Sequence, residues 1–138
     1  MNVVPRLTPY TDRAYALLRI VAGFLFSLHG WQKMFGALGG PRQAFGTQIW
    51  LGGVIELVCG SLILLGLFTR GAAFLASGTM AVAYIQFHWK LQGGSQLFPA
   101  VNQGELALLY SFLFLFIASR GAGPWSVDSR RGSAAGRS

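Results

Sequence analysis

The stretch from Leu17 to Phe35, LLRIVAGFLFSLHGWQKMF, constrains the fold more than any other part of the chain. It is mostly apolar and about as long as a lipid bilayer is thick, yet it contains Arg19, His29 and Lys33. On a helix, residues 19, 23, 26, 30 and 33 form one stripe, so two charges and two glycines share a face. Because ions are costly in lipid and glycine gives lipid nothing to pack on, we predict that this stripe faces other helices.

The composition is typical of a membrane protein. Hydrophobic residues make up 53% of the 138 residues and charged residues only 11%, too few to coat a soluble globule. The net charge of +7 could attract nucleic acid, but the basic residues lie in loops and tails between apolar segments. Membrane topology explains that distribution better, so we expect a lipid bilayer as partner and no nucleic acid. The single cysteine, Cys59, excludes an intrachain disulfide, a dithiol relay and a cysteine-based metal cluster.

Four apolar segments follow one another along the chain, and each is predicted to be a membrane-spanning helix. Their approximate bounds are 14–35, 48–68, 71–89 and 103–119. The tight turn between the second and third segments predicts an antiparallel hairpin. The predicted fold is therefore all-α, an integral membrane bundle of four antiparallel helices.

The predicted domains follow from these segments. A polar N-terminal segment occupies residues 1–13, the helical bundle residues 14–120, and a basic Gly/Ser-rich tail residues 121–138. With four spans, both termini lie on the same side as the turn at 66–70. That side carries seven basic residues against three on the other, so the positive-inside rule predicts cytoplasmic termini and a cytoplasmic tail.

Glu56 is the sharpest candidate for a functional residue, because it lies near the middle of the second segment. It shares a helical stripe of small residues with Gly52 and Gly60, the kind of stripe that packs helix against helix. A buried carboxylate needs a partner or must stay protonated. At 1.5 Å per residue, His29 is nearly level with Glu56 and Lys33 is one turn away, so either could pair with it.

Five ionisable residues are predicted to converge in the outer half of the bundle: His29, Lys33, Glu56, His88 and Glu105. Two interpretations stay open, namely a buried polar clamp that fixes helix register and a site for a polar head group or a proton. Arg19 lies near the inner end, too deep for direct contact with this cluster. The sequence contains no Glu-x-x-His pair, so we expect no metal site.

Several motifs resemble those of DoxX-type membrane proteins. The first is Arg19-x3-Gly23-x2-Phe26-x2-His29-Gly30-x2-Lys33, and the second is Gly53-x2-Glu56-x3-Gly60 with Gly66 and Thr69-Arg70. The third is Asn102-x2-Glu105 followed by Leu109-Tyr110, and the fourth is Gly123-Pro124-Trp125-Ser126-Val127-Asp128.

The resemblance covers residues 14 to 128 and implies a four-helix bundle in a bacterial cytoplasmic membrane. Its motif positions are Arg19, His29, Lys33, Glu56 and Glu105. It also implies a link to quinone-coupled oxidation and to membrane oxidoreductase complexes.

Two functions remain open at this stage. In the first, the chain is an accessory subunit of a membrane redox complex, and the polar cluster binds a quinone head group. Electrons would come from a partner, because the sequence contains no recognisable redox centre and no catalytic motif. In the second, the chain is a structural subunit that packs against other membrane proteins or its own copies. We expect a single small bundle to leave little room for an internal ligand.

Overall fold

The computed structural model describes residues 4–135, and within that range the ordered elements are helical. The α-helices are α1 (Val4–Leu7), α2 (Thr11–Phe35), α3 (Gln48–Leu65), α4 (Thr69–Ala83), α5 (Pro99–Asn102), α6 (Glu105–Arg120) and α7 (Val127–Ala135). Short 3₁₀ turns lie at Thr8–Tyr10, Ala37–Gly39 and Gly94–Leu97, and a π-helix, Tyr84–Trp89, continues α4. The all-α prediction is confirmed. The predicted segments 1–13 and 121–138 include residues 1–3 and 136–138, which lie outside the described residues.

The ends of the long helices follow from local chemistry. Gly36 ends α2 in the left-handed conformation, at φ 67°, which a residue without a Cβ adopts readily. The Thr47 side chain accepts a hydrogen bond from the Trp50 backbone N–H at 3.2 Å and so caps the start of α3. Gly66 ends α3 with the paired backbone bonds of a Schellman motif.

Helices α2 and α3 pack backbone to backbone through glycines. A Cβ added to Gly30 would lie 2.6 Å from the Gly53 carbonyl oxygen, and one added to Gly23 would lie 2.8 Å from that of Gly60. The stripe predicted on α2 does face inward, since residues 19, 23, 26 and 30 are buried and residue 33 is partly buried. The prediction that Gly52, Glu56 and Gly60 on α3 pack against another helix was wrong at Gly52. Gly53 contacts α2, whereas a Cβ added to Gly52 meets nothing within 4 Å.

The four longest helices contact one another in a cycle. Helix α3 packs on α4, and α4 packs on α6. The ring of Phe26 on α2 lies 5.6 Å from that of Tyr110 and 4.7 Å from that of Phe114, both on α6. These aromatic contacts complete the cycle and put the shared core between all four helices.

Two helices among the described residues are long and apolar enough to cross a membrane, Thr8–Phe35 and Gln48–Leu65. The predicted third and fourth spans coincide with α4 plus its π-helical extension and with α6, which has 16 residues. Their outward faces are apolar and exposed, as at Phe74 and Leu109. That all four helices span the bilayer stays a prediction.

One end of the helices, which we call the Arg19 end, holds the tail against the bundle. The Arg19 guanidinium donates hydrogen bonds to the carbonyl oxygens of Ile63 and Leu64, at 2.7 and 2.9 Å, and to those of Pro124 and Trp125, at 3.3 and 2.8 Å. One cation therefore satisfies carbonyls from the last turn of α3 and from the segment before α7. Arg19 is remote from Glu56, as predicted, and its contacts are structural.

Candidate functional site

An ion pair at the opposite end of the helices, which we call the Lys33 end, joins α2 to α3. Lys33 Nζ lies 2.6 Å from Glu56 Oε1, and the two side chains are 30% and 3% exposed. The glycine contacts bring the two helices close enough for this pairing, and Gly53 leaves the room that the Lys33 stem occupies. Of the two partners predicted for Glu56, the structure selects Lys33.

The second oxygen of the Glu56 carboxylate has no partner. Within residues 4–135, no hydrogen bond reaches buried Oε2. Two further polar groups nearby also lack hydrogen bonds among the described residues, the imidazole of His29 and the hydroxyl of Tyr110, whose rings are 6.5 Å apart. A buried, unsatisfied carboxylate oxygen costs free energy, so it is poised to accept a hydrogen bond from another molecule.

Glu56, His29 and Tyr110 are among the residues that line one cavity of about 770 Å³, which reaches from the core to the surface between α3 and α4. Its polar end is formed by Glu56, Lys33, His29 and Tyr110. Its walls beyond them are apolar and come from both helices, for example Ile55 and Leu75. The volume lies in the range of about 300–1,000 Å³ that small-molecule sites occupy. The expectation of little room concerned an internal ligand, whereas this cavity is partly open to the outer surface of the bundle.

The structure brings four of the five predicted residues to this cavity, namely His29, Lys33, Glu56 and His88. His88 lies on the π-helix, and its Nδ1 is 3.3 Å from the Asn102 carbonyl oxygen, which can only accept a hydrogen bond. Its other nitrogen is left for contacts inside the cavity. π-Helical turns are often found at functional sites.

Glu105 is the predicted residue that the structure does not bring to the cavity. It is the first residue of α6, it is exposed, and it does not line the cavity. Asn102 occupies the buried position instead. Its side chain accepts from the Gly104 N–H at 2.8 Å and donates to the Tyr84 hydroxyl at 3.2 Å, which orders the loop before α6.

Sequence reasoning missed the contribution of Tyr110 to the polar end. Its hydroxyl is a polar group within an otherwise apolar segment, and that signal could have pointed to it. It also missed the hydrogen bond between Gln48 and Gln86, which joins α3 to the π-helix above the cavity. That contact depends on the packing of two helices and has no local pattern.

Comparison with known proteins agrees with this picture of a small helical membrane protein. The DoxX family model matches residues 14–89. An uncharacterized protein of Haemophilus influenzae is 42% identical over 134 residues, which cover 94% of this chain and 97% of that protein. An uncharacterized membrane protein of Mycobacterium tuberculosis is 32% identical over 131 residues, covering 82% of this chain and 78% of that protein. No solved structure matches. The chain therefore belongs to the DoxX family and is a membrane protein.

Proposed function

We propose that this chain binds the polar head group of a membrane quinone in the cavity at the Lys33–Glu56 pair and serves as an accessory subunit of a membrane redox complex. It lies in the bacterial cytoplasmic membrane as a four-helix bundle that crosses the bilayer four times. Both bacterial relatives and the apolar outer faces of the helices support this placement. Electrons come from a partner subunit, since the chain carries no motif for a redox centre of its own.

The observation that carries the proposal is the unpartnered Oε2 of Glu56, buried at the head of an apolar cavity. A carboxylate oxygen accepts hydrogen bonds and a quinol hydroxyl donates them, so the two are complementary. The Lys33 ammonium has three protons and uses one on Oε1, which leaves donors for an oxygen of the ligand. His29 and Tyr110 add groups that can donate or accept, which suits a ring with two oxygens.

A structural role is the second candidate, and the Lys33–Glu56 contact itself favours it. A buried ion pair between two helices can fix their register without binding anything. In that case the subunit packs within a larger assembly, and the cavity is filled by lipid. The two candidate functions differ in the molecule that occupies the cavity beside Glu56, a quinone head group in the first and lipid in the second.

The experiment compares Glu56→Gln with wild type after expression in a bacterial host that makes both ubiquinone and menaquinone. The protein is extracted in mild detergent, and co-purifying quinone per protein is measured by solvent extraction and chromatography. Losing a hydrogen bond to a charged group costs about 1.5–3 kcal/mol, so we expect quinone affinity to fall by about ten- to a hundredfold.

Glu105→Gln is the matched control, because it removes the same charge from a glutamate outside the cavity. It should retain quinone as wild type does. Tyr110→Phe provides a second test that keeps the ring packing and removes only a hydroxyl without an internal partner. Equal quinone in all four proteins, or none in wild type, would refute quinone binding and favour the structural role.

A further inference from the structure

We infer that the ligand enters the cavity sideways from the hydrocarbon core, through a slot between α3 and α4 that holds its apolar tail. This inference rests on the proposed function, since it concerns the same cavity. It adds the direction of access and the class of ligand, a molecule with a polar head and a long apolar tail.

The register of α3 against α4 places the slot beside Glu56. The hydrogen bond between Gln48 and Gln86 sets these residues at one level, and the two helices are antiparallel. Counting an equal number of residues from that bond puts Gly78 of α4 level with Glu56 of α3. The middle of the slot thus faces the polar end of the cavity.

Two glycines keep the slot open. Gly52 on α3 and Gly78 on α4 both line the cavity, and a Cβ added to either one meets nothing within 4 Å. The glycines between α2 and α3 are different, since a Cβ there would overlap the neighbouring backbone. Glycine lowers helix stability at both positions, and the missing side chains leave the space beside Glu56 unfilled.

The rim of the slot matches lipid. Phe74, Leu75 and Val82 on α4 line the cavity and are all exposed, and so is Leu51 on the α3 side. An apolar rim on the outward face of two membrane helices opens toward acyl chains. At the Lys33 end, the bond between Gln48 and Gln86 connects the two helices above the slot.

The apolar slot should make binding depend on the tail of the ligand as well as on its polar head group. A tail of several methylene groups can lie along Phe74 and Leu75 while the head contacts Glu56. Each methylene group removed from contact weakens binding, so a tail-less analogue gains nothing from the slot. A side chain that fills the slot should therefore affect tailed ligands only.

The test uses the full-length protein in nanodiscs and two probes kept in the reduced form, a benzoquinol with a decyl tail and its tail-less methyl analogue. Gly78→Leu fills the slot, and Gly71→Leu is the matched control in open space on the same helix, outside this cavity. Probe retained by protein-containing nanodiscs is compared with empty ones. We expect Gly78→Leu to weaken binding of the decyl probe by about tenfold or more, the factor that about two buried methylene groups supply.

Gly78→Leu should leave the tail-less probe unchanged, and Gly71→Leu should change neither probe. Gly52→Leu narrows the slot from the opposite wall and repeats the test if Gly78→Leu does not fold. Glu56→Gln should weaken both probes. If it weakens neither, quinone binding itself fails. Suppose that Glu56→Gln weakens binding of both probes. If the slot variants then leave binding of the decyl probe unchanged, or weaken binding of the two probes equally, the lateral slot is refuted and head-group binding stands.

Discussion

Single glycines decide how close α2 and α3 approach. Gly30 faces the backbone of Gly53 and Leu57, and Gly60 faces the backbone of Ser27. In lipid, helices gain little from burying apolar side chains against each other, so close backbone packing supplies much of their association. The same closeness permits the ion pair between Lys33 and Glu56, whose side chains would be held apart by bulkier residues.

Gly30→Ala should destabilise the protein. The added methyl group would lie 2.6 Å from the Gly53 carbonyl oxygen, and backbone cannot move aside as a flexible side chain can. Forcing extra volume into a packed interface costs about 1–3 kcal/mol. Unfolding of the purified protein in mixed micelles with increasing denaturing detergent measures the loss.

Gly52→Ala is the control for this prediction, since its added methyl group meets open space in another long helix. It should be neutral or stabilising by up to about 1 kcal/mol, because alanine has the higher helix propensity. A Gly30→Ala variant as stable as Gly52→Ala would contradict the packing described for this interface.

The tail caps the start of helix α4. The Asp128 carboxylate accepts hydrogen bonds from the N–H groups of Phe68 and Thr69, both at 3.0 Å, and from the Thr69 hydroxyl at 2.9 Å. These groups open α4, so Asp128 caps the helix from about 60 residues away. Ser126 and Asp128, both in a motif that resembles DoxX proteins, thus have a structural explanation.

Asp128→Asn should loosen the attachment of residues 121–135. Asparagine has one acceptor oxygen where Asp128 uses two, so at least one hydrogen bond to a charged group is lost, at a cost of about 1.5–3 kcal/mol. Hydrogen–deuterium exchange of backbone amides in that segment is expected to rise, while α2 stays protected. Asp12→Asn, which breaks an exposed ion pair with Arg120, is the control and should have a smaller effect, at most about 1 kcal/mol.

The same contact predicts a pH dependence. Burial raises the pKa of Asp128, but the hydrogen bonds from Thr69 and Phe68 and the nearby Arg131 outweigh it, and the net pKa is lowered. The pKa of Asp128 is lower when the tail is docked than when it is free, where it is the ordinary aspartate value of about 3.9. Docking of the tail is therefore fully stabilised above about pH 3.9, and this stabilisation is lost as the pH falls through the lowered pKa of the docked state. Protection of residues 121–135, expressed relative to the intrinsic exchange rate at each pH, should fall below about pH 4 in wild type and depend less on pH in Asp128→Asn.

At the scale of the whole molecule, the open question is how many helices cross the bilayer. Helices α2 and α3 are long and apolar enough to cross a bilayer by themselves. Helices α4 and α6 are shorter, so crossing would require their extensions or the support of neighbouring helices. Packing against long helices lets shorter ones reach both interfaces, with the bilayer adjusting locally. The loop between the π-helix and α5 distinguishes four membrane-spanning helices from two. With four, this loop and the tail lie on opposite sides of the membrane, and with two they lie on the same side.

Ser95→Cys and Ser133→Cys test the topology with a membrane-impermeant maleimide. We expect Ser95→Cys to be labelled only from outside the cell and Ser133→Cys only in inverted vesicles, because Lys and Arg favour the cytoplasmic side around the tail. Cys59 is buried, so the unsubstituted protein serves as the control for background labelling. Labelling of both positions from one side would refute four spans.

The helical class, the membrane environment and the inward face of α2 could all be predicted from the amino-acid sequence. These features depend on composition and on the helical period, which are local properties. The charges of Lys33 and Glu56 were also recognisable as a pair of possible partners, since each lies in an apolar segment at a similar depth.

Other features of the site depend on how the helices pack against one another. Gly53 contacts α2 where Gly52 was expected, because one residue turns a helix face by 100° and the rotation of each helix is set by its neighbours. Glu105 lies outside the cavity and Tyr110 inside it for the same reason. The cavity is lined by α3 and α4 where Gly52 and Gly78 carry no side chain, and the tail is held because Arg19 and Asp128 reach groups far away in the chain. Such features depend on distances between helices, which no local pattern encodes.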